Sequence, residues 1–436
     1  MKYSIYTLGC KVNQYESEAM AEKLEENGIV KAKRNEQADI CIINTCAVTS
    51  EAERKARQII RREIVSNPGA YIIVTGCYAQ LKAGEIMKIP GVSLVIGNGR
   101  KLFAADCAVE FFKDNTKRTG IVCENLSELP FEKMSIIKSE RTRAYIKIED
   151  GCESKCAYCA IKNARGPIRS KKIDEVYSEA KQLTEAGYKE IVLTGIEISG
   201  FGKDTKKGDL ADLVLKLSEI KGLMRIRLGS LDPSILKPDF IDKLAKSSIL
   251  CHHFHISLQS GCDKTLNAMK RRYAVSTVKK YVDYIRKTFD DSTFTADTIV
   301  GFPGESEDDF AESVDFIYKL DLLYNHIFPF SRRPGTEADT MKNQISESIK
   351  NERLHKLEKI RDISSEKVKR QFIGKYANVI FEEYKNGYAC GHTDNYIEIF
   401  CKSDIDLRGC ASRVIISCIK DGIVFGKVAD PLYTEE

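Results

Sequence analysis

Short apolar runs alternate with amphipathic helical patterns along the first quarter of the chain. The apolar runs are rich in β-branched and aromatic residues and have the length of buried strands. Such alternation is typical of a parallel sheet covered by helices. We therefore predict an N-terminal parallel α/β sandwich domain at residues 1–113. The predicted strands lie at 2–9, 38–45 and 70–76, and the helices at 15–27 and 50–65.

A polar segment at 114–137 follows, which we interpret as a linker. The alternation then resumes as six strand–helix units, which predicts a partial (β/α)6 barrel over residues 138–370. Its last helix is a long charged one at 345–372. The predicted barrel strands lie at 143–148, 190–194, 224–228, 253–258, 293–300 and 324–330.

The pattern changes again after Gly374, to short alternating strands with turns at Asn386-Gly387 and Asp421-Gly422. About five strands in this space predict a small all-β, OB-like barrel within a C-terminal domain at 371–436.

Composition and charge narrow the function classes. Hydrophobic residues make up 43% of the 436 residues and charged residues 30%, as in an ordinary globular protein. No apolar run reaches the roughly 20 residues of a membrane span, and the N-terminus has no signal-peptide pattern, so we expect a cytoplasmic protein with no membrane partner. Fifteen cysteines without an export signal point to metal binding rather than disulfides. The net charge of +5 permits an RNA partner without requiring one.

Three cysteines, Cys152, Cys156 and Cys159, lie within the stretch DGCESKCAYC. A closed zinc site or a fully ligated [4Fe–4S] cluster takes four protein ligands. Three ligands leave one position open or filled from elsewhere. A loop of structural thiols, or a zinc site with a distant fourth ligand, is the alternative interpretation.

This C-x3-C-x2-C spacing, with Tyr158 before the last cysteine, resembles the radical S-adenosylmethionine (SAM) superfamily. The resemblance implies a [4Fe–4S] cluster whose open iron chelates SAM, and electron transfer that cleaves SAM to a 5′-deoxyadenosyl radical. It also implies that Tyr158 places its ring beside the cofactor.

Several later polar residues are candidate SAM contacts on the same resemblance. Gly195 and Glu197 belong to a glycine-rich turn after a strand, and Asp297 lies on a strand before a Gly-Phe-Pro-Gly turn. The remaining candidates are two residues that share one strand face and two arginines near the end of the barrel: Ser257, Gln259, Arg332 and Arg333. For each, a purely structural hydrogen bond is the alternative.

Cys10, Cys46 and Cys77 each come directly after a predicted N-terminal strand. The carboxyl ends of parallel strands meet at one edge of a sheet, so these thiolates can converge. We predict a second three-cysteine iron–sulfur site with an open iron. Cys41 lies within a strand and is expected in the core, and the six histidines are expected to form no metal set.

The stretches TLGCKVNQYESE, NTCAVTSEAERK and VTGCYAQL, followed by the radical SAM cysteines and a terminal β-barrel, resemble the methylthiotransferases. That family combines an N-terminal methylthiotransferase domain, a radical SAM core and a TRAM domain. It carries two [4Fe–4S] clusters and inserts a methylthio group at an unactivated C–H position. The resemblance further implies an external electron donor and a sulfur source. No general base, and no catalytic residue beyond the cluster ligands, is identifiable.

The opening TLGCKVNQYES, with HFHISLQSGCD and GHTDNYIEI, looks most like the branch that modifies N6-threonylcarbamoyladenosine (t6A) at position 37 of the tRNA anticodon loop. Lys162-Asn163 and Glu197 depart from that branch's usual residues. Isopentenyladenosine-37 of tRNA and an aspartate of ribosomal protein S12 remain alternative substrates. A non-catalytic iron–sulfur RNA-binding protein is a third possibility, which the SAM-type loops disfavour.

Basic residues offer candidate RNA contacts at two places. One set follows the cluster loop and the other lies on the second N-terminal helix: Lys162, Arg165, Arg169, Lys171 and Lys172, and Arg54, Lys55, Arg57, Arg61 and Arg62. A solvated surface is the alternative for each set. Residues 369–436 carry nine basic against ten acidic residues, so the terminal barrel itself is not basic. Its aromatic residues could stack on bases: Tyr384, Tyr388, Tyr396, Phe400 and Phe425.

Overall fold

Parallel strands covered by helices build the first part of the computed structural model, which describes residues 1–47, 49–139 and 141–431. The strands pair in the order β2-β1-β3-β4-β5-β6, and every pairing is parallel. The elements are β1 (Lys2–Thr7), α1 (Lys11–Glu26), β2 (Val30–Lys31), β3 (Ile40–Thr45), α2 (Ser50–Ser66), β4 (Tyr71–Gly76), α3 (Cys77–Met87), β5 (Leu94–Ile96), α4 (Leu102–Asp114) and β6 (Gly120–Val122).

Helices cover both faces of this sheet. Ala56 and Ile60 of α2 pack with α3 on one face, while Met20 and Leu24 of α1 pack with α4 on the other. Completely buried strands such as β3 and β4 explain the continuous apolar runs in the sequence. The predicted α/β sandwich is confirmed, although α1 begins at Lys11 rather than at residue 15.

The linker interpretation predicted an irregular segment at 114–137, but part of this segment is a strand. Its residues Gly120–Val122 form β6 and pair with β5 as the sixth strand of the sheet. Leu126 is buried and packs near Gly166 of the cysteine loop region. The strand was not predicted because it is short, lies at the sheet edge and belongs to a segment of mainly polar composition.

A partial barrel follows. Its strands pair in parallel as β7-β10-β11 and β12-β13-β14-β15. Gly229 alone separates β11 from β12, so six strand positions surround one lumen, as predicted. The strands are β7 (Ala144–Lys147), β10 (Glu190–Thr194), β11 (Arg225–Leu228), β12 (Ser230–Leu231), β13 (His253–Gln259), β14 (Thr293–Val300) and β15 (Tyr324–Pro329).

Helices outside the barrel bury one large apolar core against its strands. A two-stranded antiparallel pair, β8 (Glu149–Asp150) and β9 (Arg169–Ser170), frames the cysteine loop. The helices are α5 (Ile161–Arg165), α6 (Ile173–Glu185), α7 (Leu210–Leu217), α8 (Pro238–Leu244), α9 (Asp263–Ala268), α10 (Val275–Thr288), α11 (Glu307–Lys319), α12 (Glu337–Thr340) and α13 (Glu347–Arg370).

The chain ends in a closed five-stranded barrel of order β16-β17-β18-β20-β19, which confirms the predicted small all-β barrel. Asn386 and Gly387 have positive φ angles, as do Asp421 and Gly422, which suits the tight hairpin turns expected there. The strands are β16 (Tyr376–Lys385), β17 (Tyr388–Thr393), β18 (Glu398–Lys402), β19 (Ala411–Lys420) and β20 (Ile423–Pro431).

The terminal barrel lies against the amino ends of the core strands. Arg225 Nη2 donates to the Asn378 carbonyl at 2.5 Å, and Arg227 Nη1 donates to the Asp394 carbonyl at 2.9 Å. Glu190 forms ion pairs with both arginines. No helix in the described ranges is long and apolar enough to cross a membrane.

Candidate active site

The loop between β8 and α5 holds Cys152, Cys156 and Cys159, each half-buried and free. Every sulfur has a hydrogen-bond donor close by. The Ser154 amide lies 3.4 Å from Cys152 Sγ, and the Ile161 amide lies 3.4 Å from Cys159 Sγ. Donors aimed at sulfur stabilise thiolate ligands, so the set fits an iron–sulfur cluster.

Arg271 completes this donor set and was not recognised in the sequence. Its Nη1 donates to Cys156 Sγ at 3.2 Å, and its Nη2 donates to Asp232 Oδ2 at 2.6 Å. Tyr273 Oη donates to the Ser257 carbonyl at 2.7 Å and accepts from Arg271 Nε at 2.9 Å. The sequence signal that could have revealed it is the stretch RRY at 271–273.

Cys10, Cys46 and Cys77 follow three neighbouring strands, β1, β3 and β4. The register pairs Thr7 with Asn44 and Thr45 with Gly76, so the three chain ends lie side by side. Cys10 is the N-cap of α1 and Cys77 is the first residue of α3. A helix N-terminus favours a thiolate, so this donor set also fits a metal cluster.

Two glycines permit this close approach. Gly9 has φ +101°, and a Cβ there would lie 2.8 Å from Cys46 Sγ. Gly76 has φ +103°, and a Cβ there would lie 2.3 Å from the Thr45 carbonyl oxygen. Both positions therefore require glycine to bring the cysteines together.

A buried ion network joins the two cysteine sets. Glu16 of α1 accepts from Arg165 Nη1 at 2.6 Å and from Lys147 Nζ at 2.7 Å, and it is also paired with Lys101. Burial alone would raise the pKa of Glu16, but these three cations hold it well below its usual range. Asp150, beside the cysteine loop, accepts from Lys147 Nζ at 2.6 Å.

This network corrects the hypothesis of RNA contact for three of the five basic residues after the cluster loop, whereas Lys162 and Lys172 are exposed. Arg165 is completely buried, and Arg169 and Lys171 are also buried. Lys171 pairs with buried Glu179 rather than with a phosphate. These three charges serve the packing of the N-terminal sheet against the core, a role that a linear charge pattern cannot distinguish from a surface patch.

A cavity of about 570 Å3 opens into the barrel lumen. Cys10 lines it from the N-terminal sheet, Gly195 from the core, and Tyr396 from the terminal barrel. The Tyr396 ring is stacked between His253 and His392, at centroid distances of 4.4 and 4.8 Å. Tyr396, expected among residues available for RNA, thus forms part of the cavity wall.

Asp297 lines the same cavity and pairs with His255, with a distance of 3.1 Å from Nε2 to Oδ2. His253 and His255 both reach Thr295 Oγ1, at 2.9 and 2.7 Å. Ligand atoms of His255, Asp297 and His326 lie within 4.8 Å of one another. The sequence analysis did not anticipate this grouping, because adjacent strands β13, β14 and β15 bring together residues that are far apart in sequence.

Glu197 lies beside Glu149 at the end of β10. The Glu197 amide donates to Glu149 Oε2 at 2.7 Å, and one carboxyl oxygen of each residue is buried without a partner in the described part of the chain. Burial raises the pKa of both carboxyls. A Cβ at Gly195 would lie 2.7 Å from Glu149 Oε2, so this turn packs closely on the carboxyl.

The other predicted contacts are distributed around the site. The Tyr158 ring lies 6.4 Å from Phe302 in an edge-to-face arrangement. Ser257 and Gln259 are both half-buried on β13, whose register with β14 shifts between Ile256 and Gln259. Arg332 instead bonds Asp339, and buried Arg333 donates to the Ala47 carbonyl and to Glu53 Oε1. Arg333 thus ties the core to the loop after Cys46.

Comparisons with known proteins agree with this architecture. Residues 2–97 match the model described as "Uncharacterized protein family UPF0004", and residues 146–317 match the Radical SAM superfamily. A Bacillus subtilis protein named "Threonylcarbamoyladenosine tRNA methylthiotransferase MtaB" is 37% identical, covering 95% of this chain and 93% of its own. A Thermotoga maritima protein of the same name is 38% identical, and the alignment covers 97% of this chain and 98% of that protein. The chain belongs to the radical SAM methylthiotransferase family.

Members of this family are radical SAM enzymes, with [4Fe–4S] clusters and SAM as cofactors. Among solved structures, the radical SAM methyltransferase TsrM from Kitasatospora setae aligns with a TM-score of 0.57 at 14% identity. That alignment covers 78% of this chain and 76% of TsrM, and it shows likeness of fold alone.

Proposed function

We propose that this methylthiotransferase adds a methylthio group to C2 of t6A at position 37 of tRNA. One observation carries the proposal: Cys10 and Gly195, which belong to the two cofactor regions, line the same cavity. The names of the similar Bacillus and Thermotoga proteins support the choice of substrate. The isopentenyladenosine-37 alternative has weaker support, because the similar proteins named "tRNA-2-methylthio-N(6)-dimethylallyladenosine synthase" are only 30–31% identical to this chain.

The two cysteine sets have separate roles in this proposal. Cys152, Cys156 and Cys159 would hold the cluster that binds SAM, and Cys10, Cys46 and Cys77 would hold a second cluster that carries sulfur. When bound, SAM would supply, on one-electron reduction, the 5′-deoxyadenosyl radical chemistry that can activate an aromatic C–H bond. The protein would orient the adenine between the two sets.

Glu197 and Glu149 suit the amino group of SAM, because each offers an unpartnered buried carboxyl oxygen beside the Gly195 turn. Asp297 lines the cavity. Asp297, Ser257 and Gln259 remain candidate SAM contacts, and Tyr158 remains a candidate neighbour of the cluster. Arg332 and Arg333 already have protein partners, which favours a role in holding the core to the N-terminal sheet.

The terminal barrel is the proposed TRAM domain and the tRNA-binding element. Tyr388, Phe400 and Phe425 form a partly exposed aromatic cluster, with ring centroids 6.0 and 6.3 Å apart, on which bases can stack. Exposed basic residues of α2, including Lys55 and Arg61, remain candidate phosphate contacts. The proposal includes a cytoplasmic location, an external electron donor and a sulfur source.

The test is nucleoside mass spectrometry after an anaerobic reaction of cluster-reconstituted protein with dithionite, SAM, sulfide and t6A-containing tRNA. A methylthio mass increase on t6A is expected. Cys10→Ala should abolish that product but retain SAM cleavage, because the SAM-binding cysteines are unchanged. Formation of 5′-deoxyadenosine without product in the unmodified enzyme would contradict the substrate, and tRNA carrying isopentenyladenosine and protein S12 would then be tried.

A further inference from the structure

Two cationic side chains, Lys11 and Arg141, share the ring of Tyr145 at the edge of the central cavity. Lys11 Nζ lies 5.9 Å from the ring centroid, and Arg141 Cζ lies 5.6 Å from it. All three residues line the cavity. Within the described ranges, neither cation has a hydrogen-bonded or ion-paired carboxylate.

Neighbouring arginines, by contrast, already have carboxylate partners. Arg227 Nε lies 2.6 Å from Glu190 Oε1, and Arg143 Nη2 lies 2.8 Å from Glu382 Oε2. Asp297, the carboxylate that lines the cavity, is paired with His255. In the described part of the chain Lys11 and Arg141 thus have no carboxylate partner, and two adjacent, solvent-accessible cations at the cavity wall favour an anionic ligand between them.

The position of these cations relates them to the reacting carbon. Lys11 follows Cys10 directly and faces the same lumen as Gly195. C2 and N6 of adenine lie on the same Watson–Crick edge, so a substituent on N6 stays near the carbon that receives sulfur. In t6A that substituent ends in a carboxylate, whereas in isopentenyladenosine it is an uncharged hydrocarbon.

We propose that Lys11 and Arg141 bind the carboxylate of the threonylcarbamoyl group and so select t6A over adenosines with an uncharged N6 substituent. This inference rests on the proposed function. Charge-assisted hydrogen bonds supply the attraction. An uncharged substituent would leave both cations desolvated without a partner, which is a stronger basis for rejection than a poor apolar fit.

The test measures binding of three anticodon stem–loops to the cluster-reconstituted holoenzyme by fluorescence anisotropy. The loops carry t6A37, t6A37 with its carboxylate converted to the methyl ester, and unmodified A37. The wild-type enzyme should bind the t6A37 loop about tenfold or more tightly than the loop that carries the methyl ester. Lys11→Gln and Arg141→Gln should each remove most of that preference, and Lys11→Arg should retain it. Lys113→Gln and Arg34→Gln, which change exposed basic residues away from the cavity, are the matched controls.

Four outcomes are informative. Equal binding of acid and ester by the unmodified enzyme overturns the inference, independently of any variant. Equal weakening of all three loops by Lys11→Gln assigns the cation to an RNA phosphate and overturns it too. If Lys11→Gln or Arg141→Gln loses SAM binding but still prefers the acid over the ester, the cations bind the SAM carboxylate, and the inference is again overturned. A clear acid preference without methylthio product supports this site and contradicts the proposed function instead.

Discussion

Arg165 Nε donates to Cys77 Sγ at 3.3 Å, although Arg165 follows the SAM-type cysteine loop and Cys77 belongs to the N-terminal set. The same guanidinium donates to Glu16 Oε1 and to Asn13 Oδ1, both at 2.6 Å. One side chain therefore contacts a proposed ligand of the second cluster and closes the interface between the sheet and the barrel.

Replacing Arg165 with methionine should destabilise the protein strongly. Glu16 and Asp150 would remain buried with less compensating charge, at a cost of about 3–5 kcal/mol. Chemical denaturation of the holoprotein measures this loss. The control is Arg54→Gln, which removes an exposed pair with Glu51 and should leave the denaturation midpoint unchanged. Equal midpoints for both variants would contradict the structural role of Arg165.

The ion pairs of Glu190 should make the attachment of the terminal barrel sensitive to acid. Burial alone would raise the pKa of Glu190, but Arg227, Arg143 and Arg225 lower it to about 2. A carboxyl whose pKa is lowered by folding stabilises the folded state at any pH above its unfolded pKa, which is near 4.5. This stabilisation is lost progressively as the pH falls from there through the folded pKa of about 2.

The Glu190 contribution at neutral pH is about 3 kcal/mol, from the difference between those two pKa values. Glu190→Gln should lower the unfolding free energy at pH 7 and flatten its decline between pH 5 and 2. Denaturant titrations across that range measure both effects. An unchanged pH slope in the variant would show that other carboxyls cause the acid sensitivity.

Gly76→Ala should disturb the N-terminal cysteine set more than it disturbs the fold elsewhere. The added Cβ would lie 2.3 Å from a backbone carbonyl oxygen, so the start of α3, with Cys77, must move. We expect loss of about half of the iron bound by the reconstituted protein, since one of two clusters would be affected. Iron analysis and EPR measure this.

The matched control is Gly304→Ala. Gly304 has φ +82°, so the backbone strain is comparable, but no atom lies within 4 Å of its added Cβ. This control should keep its full iron content. If both variants lose iron equally, strain of the glycine conformation, and not the clash at Thr45, is responsible.

Arg271 should raise the reduction potential of the cluster held by Cys156, because its positive charge and hydrogen bond stabilise added electron density. Arg271→Gln should lower that potential by roughly 60 mV, the equivalent of one charge-assisted hydrogen bond in a one-electron couple. Redox titration followed by EPR measures it. Lys270→Gln, which removes an exposed pair with Glu337, should leave the potential unchanged.

The local pattern determined the element types because strand and helix periodicities are properties of neighbouring residues. It predicted the α/β sandwich, the six barrel strands and the terminal five-stranded barrel. It also placed Cys10, Cys46 and Cys77 together, because parallel strands end at one edge. The short strand β6 was missed, since three residues beside a sheet edge carry little periodic signal.

Only the tertiary structure decided which charges are buried and which face a cavity. Arg165 and Lys162 have similar sequence surroundings, yet Arg165 is completely buried against Glu16, 149 positions earlier, while Lys162 is exposed. Likewise, His255, Asp297 and His326 meet because neighbouring strands carry them. The energy of a charge depends on its partners and its access to water, and both are set by contacts between residues far apart in the chain.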